Sequence, residues 1–429
     1  MKISFKKFAG NFLSTRLSLV VCAALVSVST LAGAQAGQLD KGFASAGIFS
    51  FKLSTRNGSN NVANAVALQS DGKIVAAGQL GSRSGLIRLN PNGSVDSTFG
   101  NAGVVVTKLG GVIDQFFGGV AIQSDGKIVA VASGVPAREA VARFNSNGSL
   151  DTAFGSAGVA SLPLAGSILA LQPDGKIVVA GQGPGVTTTF LARLNSNGQL
   201  DSTFGSGGLA PMQTFGSNAI ALQADGKIVV ASGAAFGVTG SLARYNKDGS
   251  VDKTFGISGQ AASIASPSAI AVQSDGKILA VGADTSRVSA NGNSTGFGLV
   301  RFNSDGTIDT TFGTHGGAIT GFPKTSATGA FAVTLQPNGD IVAAGQAGNN
   351  VNNPRTVESF ALARYVSGGQ LDSTFGTGGR VTTSFGSNAN AFITSIVLQS
   401  DGKIVVAGTN GVAGSNAGTS LEVARYVGQ

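Results

Sequence analysis

Gln69-Ser70-Asp71-Gly72-Lys73-Ile74-Val75-Ala76-Ala77-Gly78 decides the fold, because a run of this kind returns six more times. Its turn recurs as Asp125-Gly126, Asp174-Gly175, Asp225-Gly226, Asp275-Gly276, Asn338-Gly339 and Asp401-Gly402, at spacings of 54, 49, 51, 50, 63 and 63 residues. Repeats of this length with about four strand signals each describe propeller blades, not helical solenoid units. In the first copy, residues 65–69 read as a short strand, Asp71-Gly72 as a hairpin turn and residues 73–78 as a second strand. Residues 86–90 form a third, Asn92-Gly93 turns it, and Val95-Asp96-Ser97-Thr98-Phe99-Gly100 leads into a fourth at 104–107. Ile177-Val178-Val179-Ala180 is apolar on successive residues, as a sheet covered on both faces requires. The composition agrees: charged residues are only 12%, and 65 glycines serve many tight turns. A transmembrane barrel would instead need longer strands of alternating polarity. The expectation is an all-β, seven-bladed β-propeller of four-stranded antiparallel blades, forming one domain over residues 37–429.

The phase of the repeat differs at the two ends. The last unit stops after its third strand, at residues 421–427, with no Leu-Asp-x-x-Phe segment following. That segment stands near the start, where Gly37-Gln38-Leu39-Asp40-Lys41-Gly42-Phe43 parallels Gly369-Gln370-Leu371-Asp372-Ser373-Thr374-Phe375. The N-terminal segment is therefore expected to complete the last blade, pairing residues 37–53 with 421–427 and burying faces that an open array leaves bare.

These residues carry a resemblance. The pattern aliphatic-Gln-x-Asp-Gly-Lys-Ile-x-x-Ala-Gly, followed by Ala-Arg-aromatic-Asn-x-x-Gly-x-Leu-Asp-x-x-Phe-Gly, resembles the delta-60 repeat family of bacterial exported proteins over essentially all of residues 37–429. It is also similar to NHL-type propeller repeats, which places the Asp-Gly hairpin between first and second strands. The resemblance implies a bacterial envelope or extracellular protein and no defined activity. Asn338 and Asp340 replace the usual Asp and Lys in the sixth unit, so neither side chain is indispensable to a seven-fold function.

Residues 1–36 read as a secretory leader: Lys2, Lys6, Lys7 and Arg16 precede an apolar run over 17–28, followed by small residues. Ala32-Gly33-Ala34 and Ala34-Gln35-Ala36 both fit a cleavage site, so the mature chain is expected to begin at Gln35 or Gly37. Ala34 stands where a lipoprotein leader needs cysteine, and the apolar run is short for a membrane span. Cleavage would lower the formal charge from +8 to about +4 and remove Cys22, the chain's one cysteine. The mature chain is then periplasmic, cell-surface or secreted, with no membrane span.

Every repeat carries one third-strand Arg (88, 143, 193, 244, 301, 364 and 425) and one later Asp (96, 151, 201, 252, 309 and 372, with Asp40 serving the seventh). Equal numbers point to structural ion pairs, since a buried charge left alone is costly. The six lysines after Asp-Gly read as edge charges, and a lone Asp-Gly offers too few oxygens for calcium. Asn92 and Asn147 match a glycosylation acceptor, but hairpin turn formation suffices to explain them. His315, the chain's one histidine, has no neighbours at metal spacing, and no nucleophile elbow is present. No metal, cofactor or catalytic residue is assigned. Glutamates stand only at Glu139, Glu358 and Glu422, without an evident carboxylate pair.

The leading reading is a noncatalytic binding or interaction scaffold for an envelope or extracellular protein or glycan. The rival is an extracytoplasmic hydrolase or lyase acting on polysaccharide or peptide in the central pocket, which would need convergent titratable groups outside the repeat. Nucleic acid is not an expected partner, since the mature charge is low and tryptophan is absent. The units cease to be equivalent between the Asp-Gly turn and the third-strand Arg. That distance is 17, 18, 19 and 19 residues in the first four units, then 26, 26 and 24. The extra length is placed in loops 283–297, 346–359 and 409–420, on the face opposite the tight hairpins. The candidate contacts there are Arg287, Asn291, Asn293, Asn349, Asn352, Arg355 and Glu358.

Overall fold

The computed structural model describes residues 35–429 except 54–59, 110–112, 136–137, 184–187, 215, 234–239, 263–265, 284–295, 324, 326, 349–357 and 413–417. Twenty-eight strands run through the described residues in seven sets of four. Blade 1 holds Asn61–Leu68, Ile74–Leu80, Arg83–Leu89 and Val104–Thr107, each antiparallel to the next. The expected turn and fourth strand stand as read, but the first strand begins four residues earlier than the apolar run suggested. Its extension, Asn61-Val62-Ala63-Asn64, gave no apolar signal because it continues past a bulge at Asn64.

The innermost strand of each blade lies against that of the next, and that of blade 7, Ala389–Leu398, lies against that of blade 1. Seven apolar clusters fill the spaces between consecutive blades. Ile74 and Ala76 join the cluster toward blade 7, whereas Val75 and Ala77 join the one toward blade 2. Period-2 alternation thus sends neighbouring side chains into different cores, which is why the second strands are apolar throughout.

Blade 7 draws its fourth strand from the other end of the chain. Ile48–Phe51 runs antiparallel to the third strand, Ser420–Tyr426, with Ile48 opposite Ala424 and Phe51 opposite Leu421. Leu39 bridges Tyr426, and Phe43 is fully buried beside Leu421 and Val423. Blades 6 and 7 also touch through one parallel bridge, Glu358 to Asn390.

If this pairing secures the ring, deleting residues 37–53 strips buried Phe43 and the strand's apolar side chains from two cores. The expected loss is several kcal/mol at about 25 cal/mol per Å². Denaturant unfolding of the deletion variant checks it; an unchanged midpoint would refute the closing role.

Candidate functional site

The recurring charges come first, because their positions decide what remains for recognition. In blade 3, Arg193 extends from the third strand, Thr189–Leu194, and its Nε lies 2.7 Å from Asp201 Oδ2. Lys176, just past the Asp-Gly turn, places Nζ 2.9 Å from the same oxygen. The guanidinium sits 4.6 Å over the Phe204 ring, and Nη1 donates to the Lys247 carbonyl of the next blade. Burial alone would raise the Asp201 pKa. The hydrogen bonds from Lys176 and Thr203 and the Arg193 charge outweigh it and hold the carboxyl well below the ordinary range.

All seven blades repeat the arrangement: each Arg pairs with its own Asp, stacks on its own Phe and donates to a carbonyl of the following blade. The expected ion pairs are therefore present, with two partners that counting charges did not reveal. Phe three residues after each Asp was the available signal. The lysines also differ from simple edge charges, since Lys73 reaches the buried Asp96 at 3.1 Å and Lys403 reaches Asp40 at 3.3 Å. In blade 6 Asp340 takes the lysine position, and Arg364 holds Asp372 at 2.7 Å.

One family model, described as a domain of unknown function (DUF5122) beta-propeller, matches residues 69–99, 123–154, 172–204, 223–255, 273–312, 336–375 and 399–426. The chain belongs to this family. Each DUF5122 match begins at the glutamine before an Asp-Gly or Asn-Gly turn, and the first six end on the Phe of the Asp-x-x-Phe segment. No curated protein matches the sequence. Among solved structures the chain is similar to Sqt1 from Chaetomium thermophilum, at 12% identity and TM-score 0.45, covering 92% of this chain and 100% of that one. It is also similar to a gluconolactonase from Xanthomonas campestris, at 17% identity and TM-score 0.39, covering 67% and 84%. An ulvan lyase is similar at 12% identity and TM-score 0.46, covering 85% and 94%.

The face opposite the DUF5122 turns carries the second-to-third-strand connections. Two residues separate those strands in blades 1 and 2, then 6, 8, 13, 9 and 7 in blades 3 to 7. The segments 346–359 and 409–420 were expected to be loops, but their ends are strands. In blade 6 these are Ile341–Gly348 and Glu358–Tyr365, and in blade 7 Ile404–Val412 and Ser420–Tyr426. Cross-strand backbone pairing extends the hairpin arms through Gly, Ser and Asn, residue types that read as loop in sequence. Of the seven candidate contacts, Arg287, Asn291, Asn293, Asn349, Asn352 and Arg355 lie outside the described residues. Glu358 is 6% exposed at the start of a strand, beneath the rim and not on it.

Glu358 shares its strand face with Phe360, and Glu422 shares its face with Ala424, both toward the core between blades 6 and 7. Sequence spacing could not bring these two glutamates to one interface. Burial pushes both carboxyls above the ordinary range. Glu422 Oε1 accepts from Ser50 Oγ at 2.8 Å and Ser420 Oγ at 2.6 Å, and these bonds, with Asn410, partly offset the burial. Near the outer edge, Gln38, Leu39, Phe322, Pro323, Arg380 and Tyr426 line a cavity of about 710 Å³. Arg380, the one charged residue among its described lining, already donates to the Gly321 carbonyl at 2.9 Å. Among the described residues no three His, Cys, Asp or Glu side chains gather to hold a metal, and no helix is long and apolar enough to cross a membrane.

Arg193→Ala should destabilise the protein by about 3 kcal/mol, the low end for breaking a buried pair because Lys176 stays on Asp201. Urea unfolding measures this, and a loss below about 0.5 kcal/mol, the size expected of an ordinary surface change, would contradict the structural role. A raised folded-state carboxyl pKa contributes stability below the ordinary carboxylate range, and that contribution is lost as pH rises through the folded value. Glu422→Gln keeps the shape without the charge, so its melting temperature should exceed the parent's near neutral pH and fall less between about pH 4 and pH 8. Parallel melting curves for the two proteins would remove Glu422 as the source.

Proposed function

We propose that the protein is an exported, noncatalytic binding scaffold of the bacterial envelope or exterior, recognising a protein or glycan through one rim of the propeller. One observation carries the reading. The charged residues common to the blades are committed to each other and to the neighbouring blade, whereas the blades differ mainly in the second-to-third-strand connections. Antiparallel blades put all these connections on one face, and the three longest, of 8, 13 and 9 residues, belong to consecutive blades 4, 5 and 6. Polar loops on a rigid scaffold recognise partners through hydrogen bonds and charge without needing a catalytic constellation. Support also comes from the innermost strands, on which Asp114 is the one titratable residue within the described strand bounds. Arg287, Asn291, Asn293, Asn349, Asn352 and Arg355 are the proposed contacts, whereas Glu358 is buried at the start of its strand.

Screening the mature chain on glycan and envelope-protein arrays supplies the probes. A variant with 284–295, 349–357 and 413–417 shortened to blade 1 length should lose at least about tenfold in affinity for the strongest hit, as expected when several hydrogen bonds are removed. Its melting transition should remain cooperative. Undiminished affinity would overturn the rim assignment, and turnover of an arrayed glycan or peptide would overturn the noncatalytic reading.

A further inference from the structure

The third-to-fourth-strand turn of each blade gives a carbonyl to an amide of the blade before it. In blade 2 this turn places the Asn147 carbonyl 2.8 Å from the Gly100 amide of blade 1. The same amide-to-turn bond links Gly155 to Asn197, Gly205 to Asp248, Gly256 to Asp305, Gly313 to Gly368 and Ala44 to Asn92, at 2.7–2.8 Å. In blade 7 the turn is split between the two ends of the chain. Gly428 supplies the carbonyl for Arg364, while Ala36 supplies the carbonyl that Gly376 N–H meets at 2.8 Å.

The reconstruction extends to backbone conformation. Gly37 has φ +88°, matching Gly93 at +84° and Gly148 at +88°, and its amide donates to Val427 as that of Gly93 does to Asn90. Only glycine fits, because a Cβ at Gly37 would stand 2.7 Å from the Gly376 nitrogen. Residue 36 is thus the seventh copy of the carbonyl provided elsewhere by Asn92 or Asn147. Gln35 adds a bond from Nε2 to the Gly376 carbonyl at 3.3 Å.

We propose that the leader is removed by hydrolysis of the Ala34–Gln35 bond, so that the mature chain begins at Gln35. Water adds across that amide, leaving a carboxylate on Ala34 and an ammonium on Gln35. Of the two sites that fit the small-residue rule, cleavage after Ala36 would discard the carbonyl and leave the Gly376 amide without its acceptor. This inference rests on the export reading, which it refines.

Expressing the whole chain in an exporting bacterium and sequencing the N-terminus of the exported protein tests it. Gln35, free or cyclised with loss of ammonia, is the expected end. Gly37 would overturn the proposal while leaving export intact, and an uncut Met1 chain retained inside the cell would overturn both. Chains made to begin directly at Gln35 and at Gly37 give a second readout. The Gly376 amide should exchange its hydrogen at least about tenfold faster in the shorter chain, as expected from loss of one hydrogen bond. Equal exchange would overturn the assigned role of Ala36.

Discussion

The guanidinium on each third strand is the contact on which the rest of the ring depends. It is almost wholly buried, so its charge needs compensation from every side. The blade that carries it supplies a carboxylate below and a phenyl ring against its face, and the next blade supplies a main-chain oxygen. No blade can satisfy its own arginine. Seven such dependencies run in one direction around the ring, from Arg88 to the Ser146 carbonyl and finally from Arg425 back to Pro91. The lysines add a second cation to most of the carboxylates, which lets these Asp side chains remain ionised inside the fold.

A smaller set of links runs near the axis. Bulges on the innermost strands turn Asn64 and Thr394 toward neighbouring carbonyls, at 2.8 and 2.7 Å, and Asn218, just before the innermost strand of blade 4, donates to the Pro267 carbonyl at 2.9 Å. Other blades have Gly118 or Phe331 near the same point, so this inner set is partial. The outer arginine contacts, being alike in every blade, hold neighbours together without distinguishing them, and blade order rests on apolar cores that differ in shape. Ala, Val and Ile dominate the second strands, while Tyr245, Tyr365 and Tyr426 fill space in only three blades.

The blades, their turns and the Arg–Asp pairs were legible because each depends on side chains repeated at fixed spacing. The destination of Arg Nη1 was not, since a carbonyl oxygen leaves no mark in the residue type; Ser146, Lys247 and Gly428 all serve. The rim was legible only as extra length. Backbone pairing turned part of that length in blades 6 and 7 into strand, which Asn410, Gly411 and Ser420 gave no reason to expect. Glu358 and Glu422 fell into one interface through packing between blades, a relation that exists only in three dimensions.

The pairing of Ser50 with Glu422 spans 372 residues of chain. A ribosome releases the first partner long before it makes the second, so Ile48–Phe51 has no mate throughout synthesis. Closing so long a loop costs only logarithmically more than closing a short one, but it delays the event and leaves a strand edge bare meanwhile. The order of manufacture and the order of assembly thus run opposite at this seam: the earliest strand of the ring waits for the last.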